Sequence, residues 1–261
     1  MLLKSGKAFC YCMVLLLWWG LNVSCDNSSN TSYLPPDVKI CSAKDPKIDE
    51  CFTNSANKML KHLADGIPRL NAVQMEPLHF PLLSLERNNS IFPSLAFNIS
   101  NTVHRGWKDV VVLRSKVNPN AHELFFVLYA PQYFVGGKYE ITGSIIGIPT
   151  EGTGDMDVYF ENCTLSVTVR GRLEDRNGEE YYVIVDAFQH SYYEKFQVDF
   201  KNLFNNTALT AVTNKVINYS YRPVLDALTP AIDQVFAVIY GPLAQRIFDR
   251  VPYRQLFTDL D

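Results

Sequence analysis

The chain has 261 residues, 24 basic and 27 acidic side chains and a formal net charge of −3, with 47% of its residues hydrophobic. That length accommodates one large domain or two small ones with a substantial core. The slightly acidic balance disfavours nucleic acid as a partner and supplies no broad basic face for an anionic lipid surface.

Lys4 and Lys7 precede an apolar run from Ala8 to Trp19, and Ser24 and Cys25 lead into a polar stretch. This order of charge, short apolar core and small residues predicts a secretory signal peptide over 1–25, cleaved after Cys25. An exported, extracellular protein with no stable membrane anchor after cleavage is therefore expected. Removing 1–25 takes two lysines and no acid, leaving 236 residues with 22 basic against 27 acidic groups, a net of −5. Residues 26–36, polar and ending in Pro35-Pro36, predict a flexible leader, and 37–261 a single domain.

Three of the six cysteines leave with the signal. Cys41 and Cys51, ten apart, predict a small disulfide loop in an oxidising compartment. Cys163 is left for burial as a small hydrophobe or, alternatively, for a bridge between chains. No metal site is expected, because no second Cys or His stands at ligand spacing near these three. Asn27, Asn30, Asn88, Asn98, Asn162, Asn205 and Asn218 begin N-x-S/T sequons, which support export through a glycosylating pathway. Some of the seven are expected to stay unmodified, since Asn98, Asn162 and Asn218 fall in structured segments or beside a cysteine.

Asp49 to Ala64 predicts a short amphipathic helix, with Cys51, Ser55, Met59 and Leu63 at steps of four and Gly66 and Pro68 ending it. Pro77 and Pro81 keep the next segment irregular or extended. From Leu95 to Phe200 the pattern turns to period two, predicting an antiparallel meander with turns at Asn118-Pro119-Asn120, Gly136-Gly137, Gly152-Thr153-Gly154 and Arg176-Asn177-Gly178. Between Leu209 and Leu256, Leu225, Leu228, Ile232, Val235, Phe236, Ile239, Leu243 and Ile247 recur at steps of three and four, the stripe of a long α-helix. Pro223 suits its first turn, whereas Pro230 and Pro242 predict a bend or break. Segregated strands and helices argue for an α+β fold, with the sheet curling around the carboxyl-terminal helix.

Cys41-Ser-Ala-Lys-Asp45-Pro-Lys-Ile-Asp-Glu-Cys51, Gly66-Ile67-Pro68, Gly152-x-Gly154-Asp155 ahead of Phe160-x-Asn162, Phe200-x-Asn202-Leu203-Phe204-Asn205 and Val251-Pro252-Tyr253-x-x-Leu256-Phe257 together resemble the insect takeout and haemolymph juvenile hormone binding protein family. The resemblance runs from Pro35 to the end of the chain. It implies a long α-helix wrapped in a strongly curved antiparallel sheet around an apolar tunnel for a lipophilic ligand such as a terpenoid hormone. It also implies the Cys41–Cys51 bridge. The second disulfide of the hormone-carrier branch has no cysteine pair here, which places the chain nearer the takeout branch.

Residues expected to line such a tunnel are Leu60, Leu63, Phe97, Val112, Phe125, Val127, Tyr139, Ile141, Val158, Phe160, Leu228, Ile232, Val235 and Phe236, with Tyr133 and Tyr139 as the polar groups that orient a ligand. Plain core packing is the competing role for each. A monomeric, non-enzymatic carrier without a cofactor is expected. The alternatives are a glycosylated interaction or signalling protein with a vestigial tunnel and a possible receptor, or a secreted hydrolase. The hydrolase is disfavoured because the five histidines are scattered and Gly143-Ser-Ile-Ile-Gly147 misplaces the serine of a nucleophile elbow.

Overall fold

The computed structural model describes residues 33–85, 95–145 and 148–260. The order of elements is β1 (Cys41–Ser42), α1 (Ile48–Asp65), β2 (Leu78–Leu85), β3 (Leu95–Arg105), β4 (Val111–Asn118), β5 (Glu123–Ile145), β6 (Ile148–Arg176), β7 (Glu179–Phe200), α2 (Thr207–Tyr219), α3 (Tyr221–Phe248) and β8 (Phe257–Thr258). The fold is α+β: a six-stranded antiparallel sheet, a disulfide-pinned amino-terminal helix and a long carboxyl-terminal helix. Two turns fall where the sequence places them, between β4 and β5 and at Asn177-Gly178 between β6 and β7. The other two glycine pairs do not turn. Gly136 and Gly137 lie inside β5, a strand of 23 residues, and Gly152 and Gly154 inside β6, one of 29. They permit close backbone approach instead: a Cβ on Gly154 would sit 2.2 Å from the Lys201 carbonyl oxygen, and one on Gly137 3.1 Å from that of Ser100.

β5 organises the sheet. β6 runs along one of its edges for the whole length, while the other edge is shared, with β4 on residues 123–129 and β3 on residues 134–143. Between these halves the pleat is interrupted on three strands at once. Ala130, Cys163 and Tyr193 are buried on one side of the interruption, and Tyr133, Phe160 and Phe196 on the other, so two consecutive residues on each strand turn outward. The ladder omits the Pro131 and Asn162 pairings, but the register is the same before and after. Pro131 has no N–H to give, and Asn162 adopts left-handed φ of 49°. The inward face therefore passes from even to odd residues along β5. A period-two reading carried through Pro131 inverts the face of one half.

The outer edges of β4 and β7 are capped by amide side chains that imitate a neighbouring strand. Asn57 of α1 accepts from Val112 N at 2.8 Å and donates to Val112 O at 2.9 Å. Asn218 of α2 does the same to Val198, Asn214 to Phe200, and Gln245 of α3 accepts from Ile184 N and donates to Tyr182 O. Paired groups of this kind remove the edge as a template for aggregation.

Of the bend or break expected at Pro230 and Pro242, the break does not occur: α3 is continuous through both. Thr229 donates its hydroxyl to Leu225 O in the turn before Pro230, and Gly241 has no Cβ to press on the Pro242 ring. By length and composition α3 could cross a bilayer; here it packs along β7 and faces the interior. Leu34 and Pro35, expected in a flexible leader, are buried, Leu34 packing with Ile67, Leu70, Ala72 and Val251. The signal segment and residues 26–32 lie outside the described residues.

Candidate ligand cavity

The half of the sheet that carries β4 does not fill its own interior. A cavity of about 380 Å³ lies there, walled by α1, α3 and strands β4 to β7. From α1 come Phe52, Ser55, Ala56, Met59, Leu60 and Leu63, and from β5 the even residues Leu124, Phe126, Leu128 and Ala130. β6 adds Cys163, Leu165, Val167 and Val169; β7 adds Ile184, Ala187, Gln189 and Tyr193. α3 closes the space with Phe236, Ala237, Tyr240, Gly241, Ala244, Ile247 and Phe248. Ala237, Gly241 and Ala244 share one face at steps of four and three, and a Cβ built at Gly241 would meet no atom within 4 Å. Small residues on that face hold the helix at its packing distance without occupying the room in front of it. Lys39 is the charged side chain on the wall, and it is exposed, which marks the rim.

Five of the residues expected in the wall are there: Leu60, Leu63, Val112, Tyr133 and Phe236. The others are elsewhere. Tyr139, Ile141 and Phe160 are buried in the packed core of the opposite half, with Phe97, Val158, Leu228, Ile232 and Val235 packed against it. Val127 is buried and Phe125 lies under the Arg114 guanidinium, neither on the cavity. For Phe125 and Val127 the reason is the face exchange at Pro131 and Asn162, since they share parity with Tyr139 and Ile141 but not their side of the sheet; the other eight belong to the half whose interior is filled.

The polar groups of the wall, and Thr102 and His104 bonded to them, account for their protons one by one. Thr102 donates to Phe80 O at 3.1 Å, so its oxygen accepts from His104 Nε2–H, also at 3.1 Å. His104 is then the neutral Nε2–H tautomer, in keeping with burial that pushes its pKa down to about 4. Its Nδ1 accepts from Tyr133, at 3.1 Å; Tyr133 is hydrogen-bonded to Tyr240, whose oxygen accepts Trp107 Nε1–H at 3.2 Å. Tyr240 also stands 3.5 Å from Nδ1, and in either order both phenol protons are spent. Desolvation pushes Tyr133 upward and Tyr240 up to about 12, so both stay protonated. Tyr139, the other expected ligand-orienting group, gives its proton to Lys201 O at 2.7 Å.

Ser55 donates to Lys39 O, and Gln189 Nε2 donates to Ser191 and Asp233. Cys163 is a buried free thiol whose pKa desolvation raises to about 12, leaving it unreactive. Tyr193 differs. Its hydroxyl is the buried side-chain polar atom with no hydrogen-bond partner among the described residues. The sequence hides this residue, since Tyr192 and Tyr193 are adjacent on one strand and only the face exchange decides which points inward.

Of the sequons, Asn27, Asn30 and Asn88 lie outside the described residues. Asn205 is exposed, and Asn98 Oδ1 accepts from Ser84. The amide nitrogens of Asn162 and Asn218, where a glycan would attach, donate to Glu194 and to Val198 O. Cys41 and Cys51 form the expected disulfide, and Cys41 lies on the cavity wall.

The architecture is that of an α+β protein whose long helix and short amino-terminal helix enclose a cavity against one large antiparallel sheet. The chain belongs to the haemolymph juvenile hormone binding protein family, whose model matches residues 14–258. Takeout 1 of Epiphyas postvittana shares the fold, with a TM-score of 0.72 at 19% identity over 85% of this chain and 100% of that one. The circadian clock-controlled protein daywake of Drosophila melanogaster is 22% identical over 94% of this chain and 96% of its own length. The "Putative beta-carotene-binding protein" of Schistocerca gregaria is 23% identical over 84% of this chain and 88% of its own.

Proposed function

We propose that the protein is a secreted, monomeric carrier that holds a hydrophobic small molecule, a terpenoid or another lipid, in the cavity between α1, α3 and the sheet, and does no chemistry on it. The observation that carries this reading is the cavity itself: about 380 Å³ of space whose wall is almost wholly apolar and whose few polar side chains are mostly hydrogen-bonded within the protein. Water gains little in such a space, whereas a lipophile exchanges hydration for contact. A ligand burying about 400 Å² of apolar area gains on the order of 10 kcal/mol before the costs of ordering. Family membership supports the reading, and the Schistocerca relative carries the name "Putative beta-carotene-binding protein". Export is supported by the signal-like leader, the sequons and the Cys41–Cys51 bridge, since such bridges persist in oxidising compartments.

A second reading, an extracellular interaction protein, is favoured by α2, whose Leu209, Val212, Val216 and Tyr219 leave one apolar helix face exposed. Solvent extraction of the purified secreted protein followed by mass spectrometry separates the two. A carrier releases a lipophile in stoichiometric amount; a folded protein that releases none belongs to the second class.

A further inference from the structure

Resting on the export half of the proposed function, we infer that Asn205 is the glycosylated asparagine among the described sequons and that its oligosaccharide covers the apolar face of α2. The described sequons, at Asn98, Asn162, Asn205 and Asn218, differ in what their amide groups already do. Asn218 pairs with both backbone groups of Val198, accepting from its N at 2.8 Å and donating to its O at 2.9 Å. Such pairing uses the amide proton on the same side as the side-chain oxygen. A glycosylated asparagine is a trans secondary amide, in which the sugar carbon takes the place of that same proton, so modification of Asn218 would open the β7 edge. Asn162 is half-buried, accepts from the Tyr129 hydroxyl at 2.7 Å and donates to Glu194. Asn98 is half-buried on β3, between β2 and β5, and its Oδ1 accepts from Ser84.

Asn205 stands apart. Residues 205–209 are all exposed, and among the described residues no acceptor takes the Asn205 amide nitrogen; its Oδ1 accepts from Asn202 Nδ2 at 3.3 Å. Asn206 is extended and caps α2, accepting from Leu209 N at 2.9 Å, which holds the Asn205-Asn206-Thr207 sequon open to solvent at the head of the helix. On export, the Asn205 amide nitrogen bonds to the anomeric carbon of an oligosaccharide while the bond from that carbon to a lipid pyrophosphate carrier breaks; the nitrogen loses a proton and the lipid pyrophosphate leaves. The attached sugars then start beside a surface that lacks a cover. Leu209, Val212, Val216 and Tyr219 follow at steps of three and four, all of them exposed, beginning four residues beyond Asn205. The C–H faces of pyranose rings and their N-acetyl methyl groups cover apolar side chains, while the sugar hydroxyls keep the surface wetted. A glycan at this point reconciles an apolar helix face with a monomeric carrier.

The test starts from the full chain, leader included, expressed in insect cells and collected from the medium. Glycopeptide mass spectrometry is expected to find Asn205 modified in most molecules and Asn162 and Asn218 bare. Thr207→Ala ends this sequon alone and keeps Asn205; its sedimentation is expected to shift from monomer to larger species. Adding Val212→Ser and Val216→Ser to that chain is expected to return it to monomer. Enzymatic deglycosylation of the folded, secreted wild type gives the same shift and keeps the comparison open where Thr207→Ala is poorly secreted. A secreted protein that is bare at Asn205, or that stays monomeric once this glycan is gone, overturns the inference and leaves the carrier reading standing. A chain that never leaves the cell and carries no glycan overturns the export on which both rest.

Discussion

In the half of the sheet that carries β2 and β3, Tyr139, Phe160, Phe196 and Leu203 interlock beneath Leu225 and Phe236 of α3. In the half that carries β4, the same three long strands present Leu128, Leu165, Val167 and Ala187 to open space beside Ala237, Gly241 and Ala244. Backbone pairing is continuous across the two, so the difference lies in side-chain volume and in which face points inward. In one half the inward side chains meet across the interior, while in the other the small residues of α3 stand opposite aliphatic strand residues and leave room for a molecule the chain does not supply. The filled half is packed core; the hollow half is free to be lined for a ligand.

Breaking the filled half should have the largest effect. Phe160→Ala is expected to cost about 3–5 kcal/mol in denaturant unfolding, because a ring buried against Tyr193 and Phe196 leaves a cavity its neighbours cannot close. Next comes the hydrogen-bonded chain at the boundary. His104 has a folded-state pKa of about 4 against an unfolded value near 6.5, so between these values the unfolded chain binds a proton that the folded one refuses. Stability should therefore be full above about pH 6.5 and fall as the pH drops toward 4, by up to about 3 kcal/mol at 1.36 kcal/mol per pKa unit. Melting curves across that interval, compared with those of His104→Gln, test this; an identical slope in the variant would remove His104 as the cause. Leu165→Ala, on the hollow side, is expected to cost less than about 2 kcal/mol, below the usual span for a buried leucine, because part of its side chain faces no protein atom. Equal losses for Phe160→Ala and Leu165→Ala, scaled for size, would erase the distinction between the halves.

Much of this architecture is legible in the residues. The α1 periodicity, the Asn177-Gly178 hairpin, the Cys41–Cys51 bridge and the long apolar stripe of α3 all declare themselves, because each rests on local spacing or turn chemistry. The lining of the cavity is less legible, for two physical reasons. Strand parity is a local signal, and it loses its meaning at Pro131 and Asn162, where the inward face changes without a change in register. A stripe of large apolar residues also marks where a helix packs, whereas a cavity is marked by what is missing: Ala237, Gly241 and Ala244 carry little hydrophobic weight and pass unnoticed. Tyr133 was open to inspection as a polar group near the site, but only the directions of its neighbours' protons show that it has none left to give. The edge-sealing role of Asn57, Asn214, Asn218 and Gln245 is likewise invisible until the strands beside them are in place.

The central claim is that the hollow half holds a lipophile, and Ala244→Phe addresses it most directly by directing a ring from the cavity-facing side of α3 into that space. A fluorescent fatty-acid analogue is titrated into delipidated wild type and into the variant, with melting temperatures recorded for both. The account predicts saturable binding to wild type and at least tenfold weaker binding to Ala244→Phe at an equal or higher melting temperature. Equal affinity in the two folded proteins, or no saturable binding to wild type, would contradict it.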